Sequence, residues 1–378
     1  MNRTLFRLHS WMALVAFLPL LVICVTGSVL VFKHELDSLL QHSEVRVEPG
    51  SRQRMGLDAL EASLHRHFPE HEIVGWALFE DPGRADLVYT IRQGSDEWNY
   101  ALVNQYNGEI LRPPMSLTHY LSDWLLELHF TLLLGDWGTL LTGLLSVLLC
   151  LLGITGFVLY RGFWKRFLTL RWNARLIVYF SDLHKMTGIV SAPVLLIVGF
   201  TGAWWNLTHF AHEMEEHAQG AGHYRMSGRL YSDTFSLQGL LEDSGVRISG
   251  FEARYISFPW EPGRNIIFWG EVGANNPLLS QYASSVAYNA QSGEHLGSGD
   301  IREAGLGSKV LDSYRRLHFG NFAGIASKLL WSLIGLSPLL LSLTGLYLWY
   351  QRRDKRRAAR LKRHRPATSG LERPAARW

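Results

Sequence analysis

Four long apolar stretches divide the chain, and each is long enough to cross a lipid bilayer. A hydrocarbon core of roughly 30 Å needs about 20 helical residues to span it. None of the four contains Asp, Glu, Lys or Arg, each of which costs at least ~2.5 kcal/mol at mid-bilayer. The pattern therefore predicts four transmembrane helices. Their apolar cores are residues 8–32, 140–160, 186–207 and 329–350.

Between these stretches lie two long segments in which apolar and polar residues alternate, as they do in half-buried strands. Each segment first has a short run with helical spacing and then several alternating runs. In the first segment the helix is predicted at 57–68 and the strands at 73–79, 86–93 and 98–104, with a hairpin turn at Asn107-Gly108. In the second they are predicted at 237–243, 254–258, 266–271 and 284–288. We therefore predict two α+β domains.

Basic residues cluster before helix one, between helices two and three, and after helix four. The positive-inside rule places these three regions, and so both termini, in the cytoplasm. The predicted boundaries follow in chain order. They are helix one at 1–34, an external domain at 35–120, a lead-in and helix two at 121–163, a cytoplasmic link at 164–181, helix three at 182–212, a second external domain at 213–312, a lead-in and helix four at 313–351, and a basic tail at 352–378.

Composition changes this picture little. The mean hydropathy of +0.02 averages over very uneven segments, and the net charge is only +4. A basic tail beside a membrane helix is typical of contact with membrane lipid, so no nucleic-acid partner is expected. The chain has no C-x-x-C-H motif, which excludes covalent c-type haem attachment, and no G-x-G-x-x-G or Walker A motif, so no flavin or nucleotide domain is expected.

Leu-His dipeptides recur at the same positions in both halves of the chain, and each is followed by Thr-Gly at a fixed distance. The distance is 17 positions from His9 to Thr26 and from His184 to Thr201, and 26 positions from His129 to Thr155 and from His318 to Thr344. Identical spacing in both halves indicates a duplicated two-helix unit that carries four histidines in two equivalent pairs. The Thr-Gly pairs are expected to serve helix packing.

The four histidines are candidates for haem iron ligands. The predicted topology puts His9 and His184 at cytoplasmic helix ends, and His129 and His318 at the external side. Histidines on facing helices form natural sites for a cofactor inside a bundle. Neutral imidazole also brings no net charge into a low-dielectric medium. Two such sites at opposite faces would form a transmembrane electron path.

Other histidines leave alternatives open. His34 and His209 each follow a leading histidine by 25 positions, so they are rivals for the outer ligand pair. A continuous helix from His129 to Thr155 would be about 39 Å long, which is too long unless the chain bends near Gly135. His212 and His217 either bind a metal or solvate the end of helix three.

These residues resemble the PepSY-associated transmembrane family. The resemblance rests on the Leu-His dipeptides, the Thr-Gly pairs and an Asn-x-x-x-Gly-Glu motif in each external segment, at Asn104 and Asn289. It implies an α-helical membrane protein with four transmembrane helices and two α+β PepSY-like periplasmic domains, in the inner membrane of a bacterium. The layout is similar to that of FoxB-like ferrisiderophore reductases. That similarity implies two b-type haems held by His9, His184, His129 and His318.

The expected function is therefore that of a haem-dependent oxidoreductase. It would pass electrons from a quinol or a cytoplasmic donor to Fe(III) in a periplasmic siderophore and so release Fe(II). Two other classes of protein stay open. One is a non-redox iron or siderophore transporter with His34, His209 and His212 as substrate contacts, and the other is a PepSY-type sensor or scaffold. Absence of bound haem would favour either of them.

Overall fold

The structure is a computed structural model, and it describes residues 3–49, 53–160, 162, 169–218 and 224–363. Within these residues, four helical spans are long and apolar enough to cross a membrane. They are Arg3–Leu30, Gly135–Leu159, Leu176–Glu215 and Gly324–Lys355. The four spans agree with the four apolar stretches predicted above, and the chain is a membrane protein.

The two halves of the chain share one order of main elements: a membrane span, a short helix, four strands, a lead-in helix and a second span. The first half contains α1 (Arg3–Leu30), α2 (Lys33–Leu40), α3 (His42–Val45), α4 (Leu57–His67), β1 (His71–Ala77), β2 (Asp86–Arg92), β3 (Trp98–Val103), β4 (Ile110–Ser116), α5 (Leu121–Thr131) and α6 (Gly135–Leu159). The second half contains α7 (Leu176–Ala218), α8 (Leu237–Arg247), β5 (Phe251–Ser257), β6 (Ile266–Val272), β7 (Ser284–Tyr288), β8 (His295–Gly299), α9 (Leu306–Phe319), α10 (Gly324–Gly335) and α11 (Ser337–Arg363).

The eight strands form one antiparallel sheet rather than two separate ones. Their order is β4-β3-β2-β1-β5-β6-β7-β8, so the halves meet where β1 pairs with β5. The helices α4 and α8 pack on this sheet, and a single core includes Leu60, Trp76, Leu240 and Phe268. The two predicted α+β segments therefore share one sheet and one core.

One short turn motif occurs once in each half of the chain. Asn104 and Asn289 each begin the same turn, in which the amide of a glycine four residues on donates to the asparagine carbonyl at 2.9 Å. Both glycines, Gly108 and Gly293, have positive φ, at 72° and 70°. This conformation favours glycine because it has no Cβ. The repeated motif thus codes for the same turn in each half.

A sharp turn precedes each of the second and fourth spans. Leu132, Leu133 and Gly135 have φ of 51°, 61° and 58° between α5 and α6, and Gly320 and Gly324 have φ of 67° and 61° between α9 and α10. The chain therefore bends near Gly135, as the spacing of His129 and Thr155 required. The fourth span is also divided at Leu336, because Pro338 near the start of α11 has no amide proton to continue the helix.

Candidate functional site

Each Leu-His histidine contacts the Thr-Gly pair of another helix through its Nδ1 atom. The Nδ1–Oγ1 distances are 2.8 Å for His9 and Thr155, 2.9 Å for His184 and Thr344, 2.8 Å for His318 and Thr201, and 3.3 Å for His129 and Thr26. His129 Nδ1 is also 2.8 Å from the carbonyl of Ile23. All four threonines are buried. The Thr-Gly pairs were expected to serve helix packing, and the structure also gives each of them a histidine partner.

These contacts fix which ring nitrogen carries the proton. Each threonine hydroxyl donates to the carbonyl four residues earlier in its own helix, at 2.7–2.8 Å. Its oxygen can then only accept, so the histidine Nδ1 must donate. The carbonyl of Ile23 imposes the same arrangement on His129. Nε2 is therefore the unprotonated nitrogen in all four rings, which is the form that binds a metal.

The glycine of each Thr-Gly pair lies against the imidazole ring. A Cβ atom on Gly27 would lie 2.7 Å from His129 Cε1, and one on Gly202 would lie 3.2 Å from His318 Cε1. The fit is looser at the other pair. There the distances would be 3.4 Å from Gly345 to His184 and 3.6 Å from Gly156 to His9. The motif therefore combines an acceptor that orients the ring with a residue small enough to admit it.

His129 and His318 face each other at the end of the helices nearer the sheet, here called the sheet side. Their ring centroids are 6.3 Å apart and the ring planes are inclined by 61°. Two imidazoles that bind one metal from opposite sides, each with a metal–nitrogen distance of about 2 Å, have centroids roughly 6 Å apart. A spacing of this size would suit two imidazole ligands on one metal ion. Trp205 packs against His318 at 5.2 Å between ring centroids.

His9 and His184 are the second predicted pair. They lie near the N-terminal ends of α1 and α7, away from the sheet. His9 and Thr26 lie 17 residues apart on α1, which corresponds to about 25 Å along a helix. Because Thr26 contacts His129, the two histidine pairs lie near opposite faces of a hydrocarbon core of roughly 30 Å.

The rival histidines have different surroundings. Arg84 donates to His34 Nδ1 at 2.6 Å, so the other nitrogen of a neutral His34 carries the proton and is not free to bind a metal. Burial, and then the positive charge of Arg84, lower the pKa of His34 to about 4. His209 packs on Phe130 and lies 3.8 Å from Glu213. No ring contact joins His34 to His209 among the described residues, so the structure does not bring them together as it does His129 and His318.

The predicted metal site at His212 and His217 stays a prediction. His212 lines a shallow cleft together with Phe130, Trp205 and His209, whereas the side chain of His217 lies outside the described residues. In the part of the chain that is described, no group of three or more His, Cys, Asp or Glu residues is arranged to hold a metal ion.

A buried ionic network, which sequence reasoning missed, attaches α5 to α2 and to the sheet. Lys33 on α2 contacts Asp37 at 3.0 Å and Asp123 on α5 at 2.7 Å. Asp123 also accepts from the hydroxyl of Tyr100 on β3, and Asp37 accepts from Ser122. Since α5 carries His129, this network holds one candidate ligand relative to the sheet. The signal in the sequence was Asp123, six residues before His129, repeated as Asp312 before His318.

Comparison with known proteins agrees with this architecture. The chain matches the PepSY-associated TM region family over residues 6–352. A protein of Pseudomonas aeruginosa that is described as uncharacterized is 28% identical over 261 residues, which cover 64% of this chain and 66% of that protein. The match thus spans just under two thirds of the length of that relative. The chain belongs to the family of PepSY-associated TM regions.

Proposed function

We propose that this protein is a dihaem reductase of the bacterial inner membrane that delivers electrons to Fe(III) in a periplasmic siderophore. The observation that carries the proposal is that all four histidines commit Nδ1 to a hydrogen bond and that His129 and His318 lie 6.3 Å apart. In every ring this leaves Nε2 available as a ligand. Such a set, repeated at two levels of a membrane bundle, has no evident purpose in helix packing alone.

Two b-type haems would be held by these residues, one by His129 and His318 and the other by His9 and His184. When bound, haem supplies reversible one-electron transfer. The protein orients the four rings through the threonine hydroxyls and the Ile23 carbonyl. It keeps the imidazoles neutral in an apolar environment, where an unpaired charge would be costly. His34 and His209 are better suited to other roles, since Arg84 occupies one nitrogen of His34.

The proposed topology puts the sheet in the periplasm and the basic segments in the cytoplasm, as the positive-inside rule predicts. A quinol or a cytoplasmic donor would supply electrons near His9 and His184. Each Fe(III) accepts one electron and becomes Fe(II), so one quinol reduces two ferric chelates and releases two protons. Release then follows because a chelator built for Fe(III) holds Fe(II) weakly.

The test is electron transfer across a sealed membrane. Purified protein is reconstituted with haem into vesicles that contain dithionite, a ferric chelate is added outside, and an external dye traps Fe(II). The proposal predicts external Fe(II) with the wild-type protein. It predicts a fall to the level of protein-free vesicles for His9→Ala and for His318→Ala, because either change interrupts the path.

Other outcomes would select the alternative functions. In vesicles prepared without dithionite, iron that enters with no change of valence would indicate a non-redox iron or siderophore transporter. A protein that neither reduces nor transports iron would instead be a PepSY-type sensor or scaffold that acts on another protein. The control is Thr208→Val, because the hydroxyl of Thr208 bonds only within its own helix at the described positions, and this variant should retain full activity.

A further inference from the structure

The helices that precede the second and fourth spans, here called the lead-in helices α5 and α9, expose large apolar side chains although they lie outside the spans. Leu121 and Trp124 on α5 are 61% and 41% exposed. Leu306 and Val310 on α9 are 82% and 53% exposed. An apolar surface of this kind marks a contact with another molecule or with a membrane.

The exposed positions are the same in both halves of the chain. Residues 117 and 121 precede His129 by 12 and 8 positions, and residues 306 and 310 precede His318 by the same 12 and 8 positions. Leu117 is exposed, as is its counterpart Leu306. The apolar surface is therefore a property of the duplicated unit and not of one helix alone.

The other side of each lead-in helix is attached to the sheet domain through an aspartate. Asp123 on α5 accepts from the hydroxyl of Tyr100 on β3. Its counterpart Asp312 on α9 accepts from the amide and the hydroxyl of Ser280, at 2.7 and 2.6 Å. Each aspartate comes two positions after one of the exposed apolar residues. Two positions correspond to about 200° around a helix, so the two side chains point in nearly opposite directions.

Both lead-in helices lie on the same face of the sheet. Tyr100, which contacts α5, packs against Tyr89 at 6.3 Å between ring centroids, and Tyr89 packs against Tyr255 at 6.2 Å. Tyr255 in turn packs against Tyr282 at 6.4 Å, and Arg315 of α9 lies over the ring of Tyr282 at 4.6 Å. This row of rings runs across the sheet from α5 to α9.

The helices α4 and α8 pack on the opposite face of the sheet. Neighbouring residues of a strand point to opposite faces. Ala101 and Ile256, which follow Tyr100 and Tyr255, belong to the core that α4 and α8 cover. Because each lead-in helix is soon followed by a membrane span, α5 and α9 lie on the face of the sheet that is turned towards the membrane.

The exposed surface of α9 is continuous with that of the third span. Tyr314, which lies one helical turn after Val310, contacts Phe200 and Trp204 of α7 at 5.6 and 6.1 Å between ring centroids. Both of these side chains belong to a membrane span and are exposed on its outer surface. Lipid that covers Phe200 and Trp204 therefore reaches α9 without a break.

We propose that α5 and α9 lie in the interfacial region of the sheet-side lipid leaflet, with their exposed apolar side chains in contact with lipid. Helices with one apolar and one polar side bind a membrane in this way, about 5–10 Å deep. Tryptophan, as at Trp124, is typical of this level. Because α5 carries His129 and α9 carries His318, the leaflet fixes the depth of the sheet-side pair and holds the sheet against the membrane.

The test is the accessibility of a nitroxide spin label in the full chain, reconstituted into vesicles of phosphatidylcholine and phosphatidylglycerol. The label is attached to Leu306→Cys or Leu121→Cys, in a chain in which Cys24 and Cys150 are replaced by alanine. Oxygen is apolar and concentrates in the bilayer, whereas a charged nickel chelate stays in water. Both labels should collide more often with oxygen than with the nickel chelate.

Val246→Cys is the matched control, because Val246 is also apolar and is 81% exposed, but it lies on α8, on the opposite face of the sheet. There the ratio of the two collision rates should reverse. Labels on α5 and α9 that behave as this control does would overturn the proposal. Labels that are shielded from both reagents and that broaden each other's spectra would also overturn it, because a second copy of the chain would then cover the surface.

Discussion

At the residue scale, each Leu-His histidine is hydrogen-bonded to a threonine, but not to the threonine that the constant spacing relates to it. The sequence relates His9 to Thr26 by 17 positions, yet His9 contacts Thr155 and Thr26 contacts His129. The constant spacing reflects the distance between two levels on one helix, not a contact. The four histidines and four threonines were therefore predictable from the repeat. Their pairing was not, because it depends on how separate helices pack.

Thr201→Val tests the orienting role of the hydroxyl. Valine has a similar shape but cannot accept the proton of His318 Nδ1, so the ring loses the bond that fixes its tautomer. Removal of such a supporting bond typically lowers metal affinity by about 10–100-fold. We expect haem retention at the sheet-side site to fall within this range, as measured by haem transfer to apomyoglobin. Unchanged retention would show that the hydroxyl is not needed, and Thr208→Val is the control.

Gly27→Ala tests the space beside the ring. The new Cβ would lie 2.7 Å from His129 Cε1, which is too close, so the imidazole must move. We expect loss of the sheet-side haem and retention of the other, as counted by the pyridine haemochrome assay. Gly156→Ala is the matched control, because its Cβ would lie at an ordinary contact distance of 3.6 Å from His9. Equal haem content in the two variants would contradict this account.

His34 makes stability depend on pH. Its folded pKa is about 4, below the ordinary value of 6.5, chiefly because of burial. The unfolded chain therefore takes up the proton first. The folded state keeps its full stability with respect to His34 above pH 6.5, where the residue is neutral in both states. This contribution is lost as the pH falls towards 4. We expect His34→Gln to lose less thermal stability than the wild type between pH 7.5 and 5. An equal loss in both proteins would show that folding does not lower the pKa of His34.

At the element scale, the helices were easier to predict than the strands. The four spans follow directly from hydropathy, whereas β8 was not predicted at all. Its sequence, His295–Gly299, contains two glycines and only one large apolar residue, Leu296. It is a strand because β7 offers a free edge. The attachment of α5 to α2 was also hidden, since it requires charges 90 residues apart in the chain to meet, as Lys33 and Asp123 do.

Asp123→Asn tests this attachment. The change leaves the ammonium group of Lys33 with only Asp37 and weakens the bond to Tyr100. Breaking one partner of a buried ion pair costs about 3 kcal/mol. We expect a clear fall in melting temperature, together with partial loss of the sheet-side haem. Glu70→Gln is the control, because the exposed pair between Glu70 and Arg92 contributes about 0–1 kcal/mol. Equal melting temperatures in the two variants would show that the ionic network does not attach α5 to α2 and the sheet.

At the scale of the whole molecule, the duplication explains why the histidines meet between the halves. The sheet joins the halves where β1 pairs with β5, and the contact between His129 and His318 takes one ring from each half. The sequence revealed the repeat but predicted two separate α+β segments. It could not show that they share one sheet, because the β1–β5 pairing joins residues about 180 positions apart, such as Trp76 and Ile256.

The central claim is that the four Leu-His histidines hold two haems. The most direct measurement is the visible absorption spectrum of the purified protein before and after dithionite, with a pyridine haemochrome count. The account predicts a b-type spectrum and two haems per chain. One haem should be lost in His9→Ala or His184→Ala, and the other in His129→Ala or His318→Ala. A protein expressed with ample haem that contains none, or that keeps both haems in all four variants, would contradict it.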